Sequence, residues 1–248
     1  MKFCYALLLY LFLCGSVFSQ DDIDTDRPNQ TETSSIVPVN RFQMENGFLH
    51  QQTNKNDSEL LLPTSLWKFG IIKNIELRLI TELVYNTYSD STLTGLNPVV
   101  VGIKVKLWEE KGILPQASLI THILLPKVAS KDLQVKHLAP EIRFLFQNTI
   151  TDDIDLGYNL GMNWDGESSD PIFAYTLSPA MNLTKQLKAY IEAFGFCPQY
   201  RHAEHWFDGG FMFLIGKDVQ LDISAGYEIT SHEGYHQFYE SVGFSFRI

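Results

Sequence analysis

The chain has 248 residues with 29 acidic and 19 basic side chains, and its formal net charge is −10 at pH 7. This acidity argues against a nucleic-acid partner, because binding to phosphate groups requires a basic face. Beyond the N-terminus, no stretch approaches the roughly 18 consecutive apolar residues of a membrane-spanning helix. The sequence therefore predicts no transmembrane helix.

Residues 1–19 have the pattern of a secretory signal peptide. Lys2 provides a positive charge, residues 5–14 are almost wholly apolar, and smaller residues precede Gln20. We expect cleavage before Gln20, which removes one lysine and no acid and so changes the net charge from −10 to −11. Cys197 is then the one cysteine left, which excludes an internal disulfide. A retained N-terminal anchor is the alternative to cleavage.

Residues 20–39 are acidic, polar and without periodicity. We interpret them as a periplasmic lead-in to a folded domain at residues 40–248. Their polar side chains suit three roles: a ligand site, a plug inside that domain, or a salt-bridged clasp at its mouth, which we favour. The candidate residues are Asp24, Asp26, Arg27, Pro28, Gln30 and Glu32.

From residue 40 onward, apolar and polar residues alternate with a period of two, and no helical stripe interrupts them. This pattern is typical of strands that present one apolar face. Short polar or glycine-containing breaks separate about twelve segments. The predicted strands are residues 40–51, 58–71, 74–87, 97–108, 113–125, 138–148, 153–164, 171–182, 186–197, 206–216, 219–230 and 238–248.

The predicted connections alternate in length, with tight turns after every second strand and longer loops at residues 88–96, 126–137, 198–205 and 231–237. Outer-membrane barrels have this pattern because one end faces the periplasm and the other faces outward. A sheet in lipid must also close on itself to satisfy its edge hydrogen bonds. We therefore predict an all-β fold, a closed antiparallel transmembrane barrel of about twelve strands. A soluble lipocalin-like or sandwich protein is the alternative.

Charged residues fall opposite the apolar face of their own predicted strands. In a membrane barrel such side chains line the lumen, where rings of charge select solutes. The competing interpretation, which is slightly favoured, is that charges on neighbouring strands pair and fill a narrow barrel. The lumen candidates are Glu76, Arg78, Glu82, Lys104, Lys106, Glu141, Arg143, Glu192 and Asp222.

The residues before and within the first strand resemble a known family opening. Residues 24–32 (DTDRPNQTE), 37–38 (VP) and 42–48 (FQMENGF) are similar to the start of the outer-membrane transporter family named for the MetA pathway of phenol degradation. Weaker similarity follows at residues 62–64, 75–78, 101–104, 124–126, 191–192 and 221–226. The resemblance implies an outer-membrane transporter barrel and leaves its substrate undefined.

We expect a channel or transporter for small, hydrophobic or aromatic molecules, with membrane lipid, the solute and the barrel-assembly machinery as partners. The last predicted strand is aromatic, as in barrels that this machinery inserts, although Ile248 replaces the usual terminal aromatic residue. A structural or surface-interaction barrel is the alternative, and a membrane-embedded lipid hydrolase is less favoured.

No GxSxG motif occurs and no Ser-His pair stands out, so we assign no catalytic residue. Four histidines fall in predicted loops without the HExxH order of a zinc site, and we assign no metal ligand and no cofactor. They are His202, His205, His232 and His236.

Overall fold

A computed structural model describes residues 22–231 and 234–248, so the predicted signal peptide and His232 lie outside the described residues. The described chain folds into one antiparallel sheet with a single 3₁₀ turn at Lys131–Leu133. The strands are β1 (Phe42–Gln52), β2 (Ser58–Ile72), β3 (Ile75–Tyr88), β4 (Ser91–Leu96), β5 (Val100–Trp108), β6 (Gln116–Leu124), β7 (Ala139–Thr151), β8 (Ile154–Asn163), β9 (Ile172–Asn182), β10 (Leu187–Pro198), β11 (Glu204–Ile215), β12 (Val219–Glu228) and β13 (Phe238–Arg247).

The sheet closes into a barrel of twelve strands, as predicted. Met44 of β1 lies opposite Phe246 of β13 on one side and opposite Trp67 of β2 on the other. The remaining strands follow one another around the ring, with β5 next to β3. Closure gives each strand two neighbours, which satisfies the backbone hydrogen bonds that an open edge would expose to lipid.

The thirteenth strand, β4, corrects the prediction of a loop at residues 88–96. It pairs with the end of β3 in a hairpin, with Tyr88 opposite Ser91 and Leu83 opposite Leu96. β5 pairs with the first half of β3 instead, from Ile75 to Ile80. The hairpin therefore extends β3 beyond the twelve-stranded ring, where the tight turn at residues 89–90 reverses the chain.

The two ends of the barrel differ in their connections. At the short-turn end, two residues join β2 to β3 (Lys73 and Asn74), and three join β11 to β12 (216–218). The opposite, long-loop end carries the β4 hairpin and the connection at 125–138. The start of β1 lies at the short-turn end beside the last residue, because the Phe42 amide donates a 3.1 Å hydrogen bond to the Ile248 carbonyl.

The outer face of the barrel is apolar and the inner face is polar. On β12, Leu221, Ile223 and Tyr227 are 44%, 54% and 53% exposed, whereas Asp222 and Ser224 between them are buried. The same alternation recurs around the ring, so apolar side chains cover the whole outer wall. Such a wall is stable in lipid rather than in water, and it shows that the barrel spans a membrane.

No helix within residues 22–231 or 234–248 is long and apolar enough to cross a membrane.

Some inward positions are apolar, which the strand pattern does not predict. Ile120 and Leu145 are completely buried inside the barrel. Near the long-loop end, Phe194, Trp206 and Tyr239 form an inward aromatic cluster, in which the rings of Phe194 and Trp206 stack 6.0 Å apart. The lumen therefore has a polar half near the short turns and a partly aromatic half near the long loops.

Candidate functional site

Residues 22–41, which we call the lumen segment, run through the interior of the barrel. The segment forms no regular strand, yet Asp26, Thr31 and Ser34 are buried. Its contacts reach β1, β3, β8, β10 and β12, so it touches the wall on several sides. These contacts lie in the half of the barrel nearer the short turns. The segment therefore lies within the barrel, and its role as a ligand site, a plug or a clasp stays a prediction.

Inward carboxylates of the wall accept hydrogen bonds from backbone amides of the lumen segment. Glu45 accepts from the amides of Asp26 and Arg27 at 2.9 and 3.0 Å. Glu192 accepts from the amides of Gln30 and Thr31 at 2.7 and 2.6 Å. An irregular buried segment has no ladder to pair its N–H groups, so these carboxylates take the place of a neighbouring strand.

The same arrangement continues at two further wall positions. Glu76 accepts a 2.8 Å hydrogen bond from the Val37 amide. The Asn159 side chain both accepts from the Glu32 amide at 2.8 Å and donates to the Glu32 carbonyl at 3.1 Å. Three wall carboxylates and one amide thus bind the backbone at several points along the segment.

Asp26 lies at the centre of a buried ionic hub. Its carboxylate contacts the ammonium groups of Lys68 and Lys104 at 2.9 and 3.0 Å, and the guanidinium group of Arg78 at 3.0 Å. Burial by itself would raise the pKa of the Asp26 carboxyl, but Lys104, Lys68 and Arg78 hold this pKa well below its usual value. The Asp26 carboxylate is therefore ionised, and it links the segment to three strands of the wall, β2, β3 and β5.

The cations of the hub also contact other carboxylates. Lys68 lies 2.5 Å from Glu45, and Arg78 lies 2.6 Å from Glu32 and 3.1 Å from Glu76. Three cations thus meet four carboxylates, counting Asp26. Charges buried to this extent are tolerated when they are paired and hydrogen-bonded.

A chain of side chains leads from the hub toward the long-loop end. Arg78 Nε donates to His122 Nε2 at 3.1 Å, His122 Nδ1 lies 2.7 Å from Glu141, and Glu141 lies 2.6 Å from Arg143. Because arginine is always a donor, His122 accepts at Nε2 and carries its proton on Nδ1, where it donates to Glu141. Arg143 in turn reaches the Gln30 carbonyl at 3.5 Å.

On the opposite wall, Arg27 binds Asp222 at 2.9 Å and donates to the Ser241 hydroxyl at 2.8 Å. Its guanidinium group lies directly against Gly47 and Gly243, where any Cβ atom would overlap it. The two glycines therefore create the space that Arg27 occupies, and the ion pair fixes this part of the lumen segment to β12.

Some predicted site residues stand apart from these contacts. Glu82 faces inward but accepts hydrogen bonds from Thr64 and Asn97, at 2.6 and 2.7 Å, outside the hub. Lys106 pairs with Glu109 at the short-turn end, 3.1 Å away. The Asp24 side chain is exposed and accepts from Thr33, whereas Pro28 is buried.

Sequence reasoning left two hub residues out of the lumen candidates. Lys68 is flanked by Trp67 and Phe69, which both face outward, so strict alternation would have placed it inside. Glu45 alternates with Met44 in the same way. The missed signal for Lys68 was a charged residue between two outward apolar side chains, whereas Glu45 has such a neighbour only at Met44, because Asn46 on its other side is polar and buried.

The predicted loop histidines differ in their positions. His205 belongs to β11 rather than to a loop, and its Nδ1 lies 2.7 Å from the Tyr175 hydroxyl. His236 lies in the connection before β13, where its Nδ1 contacts the Glu228 carbonyl at 2.9 Å. Within residues 22–231 and 234–248, no group of three or more His, Cys, Asp or Glu side chains is arranged to hold a metal ion.

Solved structures with a similar fold are outer-membrane barrels. An outer membrane channel from Pseudomonas putida F1 is 10% identical, with a TM-score of 0.69 over 92% of this chain and 100% of that chain. The NanC porin is 11% identical, with a TM-score of 0.55 over 83% and 98% of the two chains. The KdgM porin, solved in complex with disordered oligogalacturonate, is 9% identical, with a TM-score of 0.54 over 82% and 98%. At these identities the matches show the fold.

No curated protein matches the sequence. A family model does match, over residues 25–248, and its description is "Putative MetA-pathway of phenol degradation". The matched region begins in the lumen segment and includes all thirteen strands. The resemblance of the opening residues is confirmed, and the chain belongs to the family described as the putative MetA-pathway of phenol degradation.

Proposed function

We propose that this protein is an outer-membrane channel for small, largely apolar molecules, and that its lumen segment is a movable plug. In the conformation described here the segment closes the half of the lumen near the short turns. Passage of a solute then requires the segment to shift within the barrel. The short-turn end faces the periplasm in this proposal, because short turns are periplasmic in bacterial barrels.

One observation carries the proposal: residues 22–41, a segment separate from the wall, lie inside the polar half of the barrel, where inward side chains of the wall bind them. Three inward positions of the wall that face the segment are glycines, and a Cβ atom at any of them would collide with the segment. Gly47 and Gly243 lie against Arg27, and Gly157 lies against Thr31. A barrel built only as a scaffold can fill its interior with its own side chains. Small wall residues around a separable segment instead favour a lumen that opens.

The comparisons support a channel over an enzyme, since the solved structures named above are a channel and two porins. The family description, which names phenol, makes small aromatic compounds the first solutes to test. The sequence-based expectation of a small, hydrophobic or aromatic solute agrees with this choice. We assign no catalytic residue within the lumen.

The second candidate is a structural or surface-interaction barrel without transport. The observation that favours it is the closed lumen, since the hub and the aromatic cluster together occupy both halves of the interior. The two candidates differ in whether the lumen segment moves.

A reversible tether of the plug tests the proposal. The hydroxyls of Thr31 and Thr176 are 2.7 Å apart, one on the lumen segment and one on β9. Replacing both by cysteine, in a Cys197→Ser background, places two thiols within the span of a disulfide. We expect the oxidised protein to show no conductance in planar bilayers and the reduced protein to conduct.

The single Thr31→Cys variant in the same background is the matched control, and its conductance should not respond to oxidation. Equal conductance of the tethered and the reduced protein would show that the segment does not gate the lumen. Absence of conductance and of solute flux in every form would overturn the channel itself and leave the structural candidate.

A further inference from the structure

A cavity of about 190 Å³ lies inside the barrel on the long-loop side of the ionic hub, and we call it the outer pocket. Its walls come from the ends of β5, β6, β7, β8 and β10 that face the long loops. The apolar lining includes Val100, Leu124, Pro140 and Phe196. Engineered cavities of about 150 Å³ accommodate benzene, so the outer pocket has room for one six-membered ring with a small substituent.

Two polar groups in the outer pocket are not saturated by the protein. The side-chain oxygen of Asn163 is buried and has no hydrogen-bond partner among the described residues. Arg143 contacts Glu141 and the Gln30 carbonyl, which engages only part of a guanidinium group with five N–H donors. A buried polar atom without a partner is destabilising by roughly 1–3 kcal/mol. Asn163 lines the pocket, so a ligand gains from satisfying its oxygen once the amide rotates toward the ligand.

These groups define the chemistry of the ligand. An acceptor on Asn163 and donors on Arg143 call for a ligand group that both donates and accepts, which is the property of a hydroxyl. A carboxylate has no proton to donate, and Glu141 would repel its negative charge. Arg143 would repel the positive charge of an ammonium group. The pocket therefore favours an uncharged ring or branched aliphatic body that carries one hydroxyl.

The outer pocket is also connected to the plug. Its polar floor consists of His122, Glu141 and Arg143. His122 contacts Arg78 of the hub at 3.1 Å, and Arg143 contacts the Gln30 carbonyl at 3.5 Å. A ligand that takes a hydrogen bond from Arg143 therefore binds next to a contact of the lumen segment.

We propose that the outer pocket is a binding site for small, uncharged hydroxylated compounds, and that a solute binds there before the lumen segment moves. This inference rests on the proposed channel function and adds to it the class of solute and the place of first binding.

The test is calorimetric titration of the purified full-length mature protein in detergent with three ligands that share one ring. Cyclohexanol donates and accepts, methoxycyclohexane only accepts, and cyclohexanecarboxylate is an anion. We expect cyclohexanol to bind at least about tenfold more tightly than either of the others, which corresponds to the loss of one hydrogen bond. Equal affinities for cyclohexanol and methoxycyclohexane would overturn the assignment of a hydroxyl.

Asn163→Leu should remove the preference for cyclohexanol. Asn86→Leu is the matched control, because Asn86 also has a buried, unpartnered side-chain oxygen near the long-loop end but lies on β3, outside the pocket. An unchanged preference in Asn163→Leu would refute the site. Because binding is measured without transport, binding with no flux contradicts only the channel, whereas flux with no binding contradicts only the outer pocket.

Discussion

The replacement Asp26→Asn removes the one carboxylate that three buried cations share. In the native protein Asp26 lies 2.9 to 3.0 Å from Lys68, Arg78 and Lys104, and it is 5% exposed. Asparagine has nearly the same shape, so the change removes charge while it leaves the packing of the lumen segment intact. The expected result is a weaker attachment of the segment to β2, β3 and β5.

The magnitude follows from the charges that remain. Removing one partner of a buried ion pair costs about 3–5 kcal/mol when the other charge is left unpaired. Here Lys68 keeps Glu45, and Arg78 keeps Glu32 and Glu76, so three cations still face three carboxylates. We therefore expect the lower end of this range, about 3 kcal/mol, which raises the ratio of undocked to docked plug by roughly 100-fold.

The replacement Lys104→Met is the sharper perturbation of the same hub. It leaves two cations against four carboxylates, and it also removes the donor to the carbonyls of Thr33 and Ser35, which lie 3.0 and 3.3 Å from the Lys104 ammonium. We expect Lys104→Met to weaken the docking of the segment by about 5 kcal/mol, the upper end of the range. Lys104→Met should therefore undock the plug more often than Asp26→Asn.

Single-channel recording in planar bilayers measures the ratio of open to closed time for each variant. Asp24→Asn is the matched control, because it makes the same exchange on the same segment at an exposed carboxylate whose hydrogen bond from Thr33 asparagine can also accept. We expect this control to change the ratio by less than about twofold, since exposed charges contribute little. Ratios for Asp26→Asn and Lys104→Met that match the control would refute the view that the hub holds the plug.

Two further predictions concern pH and the lipid-facing wall. The pKa of Asp26 is held well below its usual value, so the contribution of Asp26 to docking is complete above that usual value and is lost only as the pH falls through the lowered pKa. The ratio of open to closed time should therefore differ between Asp26→Asn and the unchanged protein by the same factor at pH 7 and at pH 5. A difference that shrinks at pH 5 would contradict this. Ile223→Arg places a charge on the outer face of β12 and should lower the free energy of unfolding in lipid vesicles by about 2–4 kcal/mol, whereas Ile229→Arg, in the connection after β12, should lower it by less than about 1 kcal/mol. Urea titrations of both variants decide this, and equal effects would argue against a membrane-spanning position of β12.

The strands were predictable because a period of two is a local property. The predicted strand at residues 153–164 is observed as Ile154–Asn163, and that at 219–230 as Val219–Glu228, so the boundaries agree within two residues. The inward position of Arg78 and Lys104 follows from the same alternation. β4 was missed because a hairpin of six-residue strands resembles a loop when its partner is not known.

The path of residues 22–41 could not be read from the sequence, because an irregular segment has no period and its hydrogen-bond partners lie far away in the chain. Glu45, Glu76 and Glu192 bind its backbone only because closure of the barrel brings β1, β3 and β10 to face one space. The sequence by itself determined that the barrel has an apolar outside and a charged inside. Tertiary structure alone decided that these inward charges bind residues 22–41, since the partner of a buried charge depends on which groups the closed wall brings next to it.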